Sequence, residues 1–260
     1  MNDFQSGSFG GRSVLVTGST RGIGRAIATH FAKAGARVYV HGPDSESARV
    51  CAGELAVEMP GAEISAVGFD VTDEQAIDRG IARIASETGG LDILISNAGT
   101  QNRDPVEDLD VAAYRQMLEA NLVSHFAVAK AAAPVIERGG GGSMIFMASI
   151  LALHGRAGLA AYCSAKSGLT GLVRVLAAEY AERGIRVNGI GPGFIATEMT
   201  ADVRARQEFS QMVIERTPAR RWGQPDDIAG PALFLAGDWA GFVHGQIIYV
   251  DGGLTAAFHS

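Results

Sequence analysis

Short apolar runs, many of them β-branched, alternate along the chain with stretches in which apolar residues recur at helical spacing, such as Ile23, Ile27 and Phe31. The runs predict seven strands, at residues 13–17, 37–41, 64–69, 91–96, 143–148, 185–190 and 247–250. Most of these runs are continuously apolar, which is typical of parallel strands covered by helices on both faces. The pattern therefore predicts an α/β fold in which a seven-stranded parallel sheet is doubly wound.

The organisation along the chain favours a single domain over residues 11–260, because no linker, composition break or internal repeat interrupts the alternation. Residues 1–10 are polar and rich in Gly and Ser, and we interpret them as a flexible tail rather than a signal peptide. Residues 194–218 follow a strand, carry few strand signals and are mixed in polarity, which predicts a substrate lid.

Composition excludes several classes of function. The net charge of −6 leaves no basic face for sequence-independent nucleic-acid binding. The two cysteines, Cys51 and Cys163, are too few for a disulfide framework or a structural zinc site, so we expect no metal and two reduced thiols in the cytoplasm. No apolar run approaches the ~20 residues that span a bilayer, so no membrane partner is expected.

A glycine-rich loop lies between the first predicted strand and the first predicted helix. Glycine allows a tight turn and lets backbone N–H groups approach a pyrophosphate, and the helix start adds a favourable dipole. An ordinary strand–helix turn is the alternative, although the position of the loop favours dinucleotide binding. The candidate phosphate-binding residues are Gly18, Ser19, Thr20, Arg21, Gly22, Ile23 and Gly24.

With Gly18, Gly22 and Gly24 in this order, the sequence begins to resemble the short-chain dehydrogenase/reductase family, and the resemblance extends over residues 13–253. It implies a Rossmann-type fold and an NAD(P)-dependent oxidoreductase that acts on a carbonyl or a secondary alcohol. The motifs that follow carry further parts of this resemblance.

Tyr162 and Lys166 lie one helical turn apart on the same predicted helix face. Tyr has an ordinary pKa of about 10 and is a poor base at neutral pH. A nearby ammonium and an oxidised nicotinamide would lower that value into the range useful for acid–base chemistry. The alternative is a Lys that extends along a half-buried Tyr.

Ser149 ends the fifth predicted strand thirteen residues before Tyr162, which is the spacing of the resembled family. A hydroxyl there can donate to the substrate oxygen as charge develops on it. Asn121 falls within a predicted helix, where Asn is not favoured. By resemblance, Asn121 holds a water that links Lys166 to solvent, and the alternative is a core Asn bonded to backbone. The implied catalytic residues are Ser149, Tyr162, Lys166 and Asn121. Tyr162 and Lys166 are also implied cofactor contacts, with Lys166 on the ribose.

The adenosine end of the cofactor site contains opposing signals. After His41, Gly42 occupies the position at which an acid would bind the free ribose hydroxyl of NAD. Asp44 could reach the ribose or serve only as a turn residue. In the resembled family a basic residue at Arg21 is similar to those that pair with the 2′-phosphate of NADP. We therefore favour NADP over NAD and assign His41 and Gly42 to the cofactor site.

Three further segments resemble cofactor contacts of the family. Asp70 and Val71 match its adenine-contacting pair, with a turn role for Asp70 as the alternative. The sequence Ser96-Asn97-Ala98-Gly99 matches its Asn-Asn-Ala-Gly, with Ser96 in place of the first Asn. After the sixth predicted strand, the residues that match the nicotinamide-side turn, and that by resemblance also include carboxamide and pyrophosphate contacts, are Pro192, Gly193, Ile195 and Thr197.

The substrate is interpreted from the segments around this centre. The sequence from Pro192 resembles 3-oxoacyl-thioester reductases, which we favour at this point, and sugar or polyol dehydrogenases are the alternative. Arg183 could contact an acidic carrier protein or act as a generic cation at a helix end. Arg103 and Arg156 could also line a pocket for a polar substrate. The predicted pocket residues are Gln101, Leu151, His154 and Phe194.

Two expectations concern the molecule as a whole. A dinucleotide-binding sensor or scaffold without turnover is the alternative of another class, since fold does not imply activity.

The apolar helix faces at residues 123–133 and 169–177 exceed what one sheet face needs, so we predict a homodimer or homotetramer.

Overall fold

A seven-stranded parallel sheet forms the centre of the protein in a computed structural model, which describes residues 8–257. The strand order is β3-β2-β1-β4-β5-β6-β7. The sequence prediction of seven parallel strands is confirmed, although β4 begins two residues later than expected and β6 extends two residues further. The strands are β1 (Ser13–Val16), β2 (Arg37–Gly42), β3 (Ile64–Gly68), β4 (Ile93–Ser96), β5 (Gly142–Met147), β6 (Ile185–Pro192) and β7 (Ile247–Val250).

Helices cover both faces of this sheet, and short 3₁₀ turns join some of them to the strands. A π-helical turn, Glu119–Val123, separates α4 from α5. The α-helices are α1 (Gly22–Lys33), α2 (Ser45–Glu58), α3 (Glu74–Thr88), α4 (Val111–Leu118), α5 (Ser124–Arg138), α6 (Ala160–Tyr180), α7 (Ala201–Arg204), α8 (Gln207–Arg216) and α9 (Pro225–Ala236).

The strand residues alternate between two hydrophobic cores. Val14 and Val16 of β1 face a core formed with α1, α2 and α9, whereas Leu15 faces a core formed with α3, α5 and α6. All three β1 side chains are fully buried. Burial on both faces explains why the strands are continuously apolar in sequence.

The strand order reverses beside β1, which pairs with β2 on one side and with β4 on the other. In open α/β sheets, ligands bind in the crevice at the carboxyl ends of the strands where the order reverses. The loops that follow β1, β2, β4, β5 and β6 therefore converge on one edge of the sheet.

The predicted tail and the predicted lid both contain residues that pack into a hydrophobic core. Most of the predicted tail lies outside the described residues, and the structure corrects its end, because Phe9 is 2% exposed and packs against Phe31 with ring centroids 5.0 Å apart. In the predicted lid, Val203 of α7 and Val213 of α8 form a small separate core with Trp222, which follows the lid in the chain. Among the described residues, no helix is both long and apolar enough to cross a membrane.

Candidate active site

The loop between β1 and α1 has the backbone shape that an anion site needs. Gly18 and Gly22 have φ angles of 61° and 56°, in the left-handed region that favours glycine. A Cβ on Gly18 would lie 2.8 Å from Cα of Ala98, so a side chain has no room there. No side chain caps the amino end of α1. Its first N–H groups are free to bind a phosphate, and the loop fits a pyrophosphate.

Side chains from the neighbouring strand hold this loop in place. The amide of Asn97 donates to the carbonyl oxygens of Thr17 and Gly18, each over 3.0 Å. In return, Oγ1 of Thr17 accepts from the backbone N–H groups of Asn97 and Ala98. These four bonds tie the loop after β1 to the loop after β4.

His41 connects the same loop to the ends of two other strands. Its Nδ1 accepts from the N–H of Gly18 and its Nε2 donates to the carbonyl oxygen of Phe69, both over 3.0 Å. Burial lowers the pKa of His41 to about 4, so the ring is neutral at physiological pH.

A cleft of about 370 Å³ runs along this edge of the sheet. The structure brings most of the predicted phosphate, adenosine and adenine residues to it. They are Gly18, Thr20, Arg21, Gly22, Ile23, Gly24, His41, Asp70, Val71, Asn97, Ala98, Gly99 and Thr197.

Two predicted cofactor residues, Ser19 and Gly42, do not line the described cleft, and their assignment stays a prediction. The side chain of Ser19 is fully buried and donates to the carbonyl oxygen of Val16 while accepting from the N–H of His41. Gly42 is buried, and a Cβ there would lie 2.3 Å from Oγ of Ser47 and 3.0 Å from Thr20. The space that a ribose-binding acid would need is therefore occupied by other side chains.

Among the described residues, one Arg or Lys side chain lines the cleft in which the adenosine end of a cofactor is expected. Asp44 caps α2 by accepting from the N–H of Ser47 over 2.8 Å, which supports its turn role. Asp70 accepts from the N–H and the hydroxyl of Thr72, so it is a turn residue that also lines the cleft. Among the described residues that line this cleft, Arg21 is the one Arg or Lys, and its exposed guanidinium forms no ion pair with them.

A second cavity of about 140 Å³ adjoins the cleft and shares Ile23, Asn97, Gly99 and Thr197 with it. The structure brings the implied catalytic residues together here with the predicted pocket and nicotinamide-side residues. They are Gln101, Asn121, Ser149, Leu151, Tyr162, Lys166, Pro192, Gly193, Phe194 and Ile195. His154 is exposed and does not line the described cavity, so its assignment to the pocket stays a prediction.

Ser149 and Tyr162 meet at the end of β5. Ser149 is the N-cap of the 3₁₀ turn Ile150–Ala152, where its Oγ accepts from the N–H of Leu151 over 3.1 Å. Tyr162 lines the same cavity as Ser149, whose side chain favours the ionised form of the phenol. Burial raises the pKa of Tyr162 to about 12, and Ser149 offsets part of that rise.

Lys166 lies beneath Tyr162 on α6. Its Nζ is 5.6 Å from the centroid of the Tyr162 ring and donates to the carbonyl oxygen of Met147 over 2.8 Å. Burial lowers the pKa of Lys166 to about 8. The expected lowering of the Tyr162 pKa by this ammonium is not found in the protein alone, because burial has the larger effect on the phenol.

Asn121 lies in the π-helical turn and is fully buried. Its Oδ1 accepts from the N–H of Thr100 and its Nδ2 donates to the carbonyl oxygen of Met117, each over 3.1 Å. A Cβ on Gly99 would lie 2.7 Å from that Oδ1, so the glycine is required for this approach. Both backbone bonds support the alternative of a bonded core Asn, while its place in the cavity leaves the relay role as a proposal.

Ser96, which stands where the family motif has its first Asn, contacts His125, one helical turn beyond Asn121. The hydroxyl of Ser96 is hydrogen-bonded to Nδ1 of His125 over 2.7 Å, and both side chains are buried. Burial, with the charge of Lys166, holds the pKa of His125 well below its ordinary value. The first position of the Asn-Asn-Ala-Gly match is thus used for packing in this chain.

Comparisons with known proteins agree with this geometry. The family model described as enoyl-(acyl carrier protein) reductase matches residues 18–255. A 2-dehydro-3-deoxy-D-gluconate 5-dehydrogenase from Formosa agariphila is 38% identical over 95% of this chain and 93% of its own length. A 3-oxoacyl-[acyl-carrier-protein] reductase from Aquifex aeolicus is 34% identical over 94% of this chain and 97% of its own.

A solved structure of gluconate 5-dehydrogenase from Burkholderia cenocepacia J2315, in complex with NADP and tartrate, superposes with a TM-score of 0.93. It is 34% identical and covers 98% of this chain and 99% of that one. This chain belongs to the short-chain dehydrogenase/reductase family. It is an NAD(P)-dependent oxidoreductase that acts on the CH–OH/C=O couple.

Several residues of this short-chain dehydrogenase/reductase were not among the predicted site residues. Arg103 and Arg156 line the cavity, and the sequence indicated them only as residues suited to a polar substrate. Met199, Thr200 and Val203 of the predicted lid also line it. The sequence predicted a lid over residues 194–218, but it gave no signal for which lid side chains would line the cavity.

Proposed function

We propose that this enzyme interconverts a secondary alcohol and a ketone on a small polyhydroxylated substrate of the sugar, polyol or sugar-acid class, with NADP as cofactor. The observation that carries the reaction is that Ser149 and Tyr162 line one small cavity with Lys166, whose Nζ lies 5.6 Å from the centroid of the Tyr162 ring. A bound nicotinamide dinucleotide would supply or accept the hydride.

The protein's own groups handle the substrate oxygen and its proton. Ser149 donates to the oxygen and stabilises the charge that develops on it. Tyr162, whose high pKa keeps it protonated at neutral pH, gives the oxygen a proton during reduction, and during oxidation its ionised form takes that proton back. Lys166 holds positive charge beneath the phenol and favours its ionised form. Asn121, next to the same cavity, orders a water for proton exchange.

Two observations support NADP. Arg21 is free to pair with a 2′-phosphate at the cleft, and Gly42 leaves no acid that would repel it. The relative from Burkholderia cenocepacia was solved with NADP bound.

The substrate class follows from the cavity and the relatives. Gln101, Arg103 and Arg156 give the cavity polar and cationic walls, which suit hydroxyl and carboxylate groups better than an acyl chain. The similar enzymes described above include two that act on gluconate-type sugar acids, one of them solved with the dicarboxylate tartrate. These observations favour the sugar alternative over the 3-oxoacyl thioester that the sequence favoured.

The lid and the assembly complete the proposal. Residues 194–218 supply Met199, Thr200 and Val203 to the cavity, so their closure would exclude water from it. Val123, Phe126 and Val175 are 38%, 47% and 53% exposed on the faces expected to pair, which supports a homo-oligomer. A monomeric mass by light scattering at micromolar concentration would reject the oligomer.

A substrate panel tests the function. Purified enzyme with NADP⁺ or NADPH is followed by nicotinamide absorbance against sugar acids, polyols and a short 3-oxoacyl thioester. We expect turnover of a polyhydroxylated substrate that Tyr162→Phe abolishes. Faster turnover of the thioester would reverse the substrate assignment. Tight cofactor binding without any turnover would favour the sensor alternative.

A further inference from the structure

Arg156 lies in the loop between the two residues that handle the substrate oxygen. It follows the 3₁₀ turn capped by Ser149 and precedes α6, which begins at Ala160 and carries Tyr162. Its side chain is half-buried and lines the same cavity as Ser149 and Tyr162. The guanidinium is therefore placed beside the reacting centre by the same short loop.

This guanidinium has no carboxylate partner in the protein. Arg25, Arg183 and Arg221 each pair with a Glu or Asp, whereas no described acidic side chain forms an ion pair with Arg156. Arg103, which lines the same cavity, has only Gln101 as a side-chain partner among the described residues. Burial lowers the pKa of Arg156, and the charge of Arg103 lowers it further. Two neighbouring cations without an anion are unfavourable unless a ligand supplies the negative charge.

Aromatic rings hold Arg156 in position instead. The guanidinium carbon lies 4.5 Å from the centroid of Phe209 and 5.7 Å from that of Phe194. Both rings pack edge-on against Trp222 and belong to the small core of the lid. A guanidinium over an aromatic face keeps its five N–H donors available, in a fork that matches the two oxygens of a carboxylate.

We propose that Arg156, assisted by Arg103, binds the carboxylate of an anionic substrate whose reacting carbon lies at Ser149 and Tyr162. This inference rests on the proposed function and narrows it from polyhydroxylated compounds in general to sugar acids. Because the Arg156 guanidinium packs on Phe209 of α8, the Arg156 side chain links a bound carboxylate to the lid. Substrate charge and lid position are thereby coupled.

A pair of substrates that differ only at C1, which is a carboxylate in one and a neutral CH2OH in the other, tests the carboxylate site. D-gluconate and the neutral D-glucitol are compared with NADP⁺ for the wild type, Arg156→Met and Arg156→Lys. Met keeps the apolar stem and removes the charge. We expect the KM for gluconate to rise about 10- to 100-fold in Arg156→Met, as for loss of a charge-assisted hydrogen bond, with an intermediate rise in Arg156→Lys. The kinetics with glucitol stay within about threefold.

The matched control is Arg49→Met, which removes an exposed guanidinium on α2 outside both cavities. It should change neither substrate, and circular dichroism checks that each variant is folded. If Arg156→Met weakens gluconate and glucitol equally, or leaves gluconate unchanged, Arg156 has only a packing role and the proposal is overturned.

A binding measurement separates this proposal from the proposed function. Tartrate is titrated by calorimetry into NADP⁺-loaded wild type, Arg156→Met and Arg49→Met. Binding that is lost only in Arg156→Met supports the carboxylate site, even if neither polyhydroxylated substrate is turned over and the proposed function fails. Equal binding by all three proteins, or none by the wild type, overturns the site while leaving turnover of neutral substrates to support the function.

Discussion

The backbone N–H of Gly18 donates to Nδ1 of His41, and Nε2 of the same ring donates to the carbonyl oxygen of Phe69, so one neutral imidazole joins three strand ends. Gly18 follows β1, His41 lies near the end of β2 and Phe69 follows β3. Since a protonated ring has no acceptor for the Gly18 N–H, the neutral state is required for this arrangement.

The first prediction concerns His41→Leu, which leaves the Gly18 N–H and the Phe69 carbonyl without partners. We expect the free energy of unfolding to fall by about 2–4 kcal/mol, because each orphaned buried group costs about 1–3 kcal/mol. Cofactor affinity should fall about tenfold, since the phosphate loop loses its support. Denaturant unfolding and a cofactor titration measure the two effects. His30→Leu, which removes a half-buried imidazole on α1 that is hydrogen-bonded to the exposed Asp226, is the control, and an equal loss in both variants would contradict the role of His41.

The same histidine predicts a dependence of stability on pH. The pKa of His41 is about 4 in the folded protein and 6.5 in its ordinary state, so between these values the unfolded chain binds more protons. Stability from this group is present above pH 6.5 and is lost as the pH falls toward 4, by up to about 3 kcal/mol. His125 acts in the same direction. Unfolding midpoints measured from pH 7 to 4 should fall less steeply for His41→Leu than for the wild type, and equal slopes would argue against this linkage.

Tyr162→Phe tests the proton-transfer step. The variant keeps the ring near Lys166 but removes the hydroxyl, so kcat should fall about 10²- to 10⁴-fold while cofactor affinity changes little. Steady-state kinetics and a fluorescence titration of the cofactor give both values. Retained turnover with lost affinity would assign Tyr162 to cofactor binding alone.

Lys166→Met separates stability from activity. Burial lowers the pKa of Lys166 to about 8, so the fold bears a cost for its charged form at neutral pH. Removing the ammonium loses its hydrogen bond to the Met147 carbonyl oxygen but also removes the cost of burying the charge. We therefore expect the free energy of unfolding to rise by a net value of about 1–2 kcal/mol. Turnover should be lost. Guanidinium unfolding at pH 7 measures the gain, and a less stable variant would show that the Met147 bond outweighs the cost of burial.

Arg21→Ser tests the cofactor preference. Loss of a charge-assisted bond to the 2′-phosphate should weaken NADP⁺ by about 10- to 100-fold and leave NAD⁺ nearly unchanged. Titrations of both cofactors measure the ratio. Arg79→Ser, an exposed position on α3, should leave both affinities as they are. An equal loss for NAD⁺ and NADP⁺ in Arg21→Ser would mean that Arg21 does not discriminate between them.

The elements, and the meeting of the proposed catalytic residues in one cavity, could be predicted from sequence because their signals are local. Continuous apolar runs mark the strands, and the i to i+4 spacing places Lys166 beneath Tyr162. Their pKa values could not be predicted, because the sign of each shift depends on how deeply the surrounding elements bury the two groups.

The roles of His41 and Arg156 depend on contacts between distant segments. The partners of His41 lie 23 and 28 residues away in the chain, so its position beside the cofactor predicted a contact rather than a support for the loop. Arg156 gains its place from Phe209 of the lid. Neither contact follows from periodicity or from a motif.

The π-helical turn at Glu119–Val123 amounts to one surplus residue within an otherwise regular helical run. Each residue of an α-helix turns the chain by about 100°, so deleting one here would swing every side chain before the turn by that angle relative to those after it. Asn121 and His125 could not both face inward after such a change. One inserted residue thus sets how the Asn121 amide and the His125 ring are oriented relative to each other. Related chains without that residue would need other side chains to fill the buried space beside Lys166.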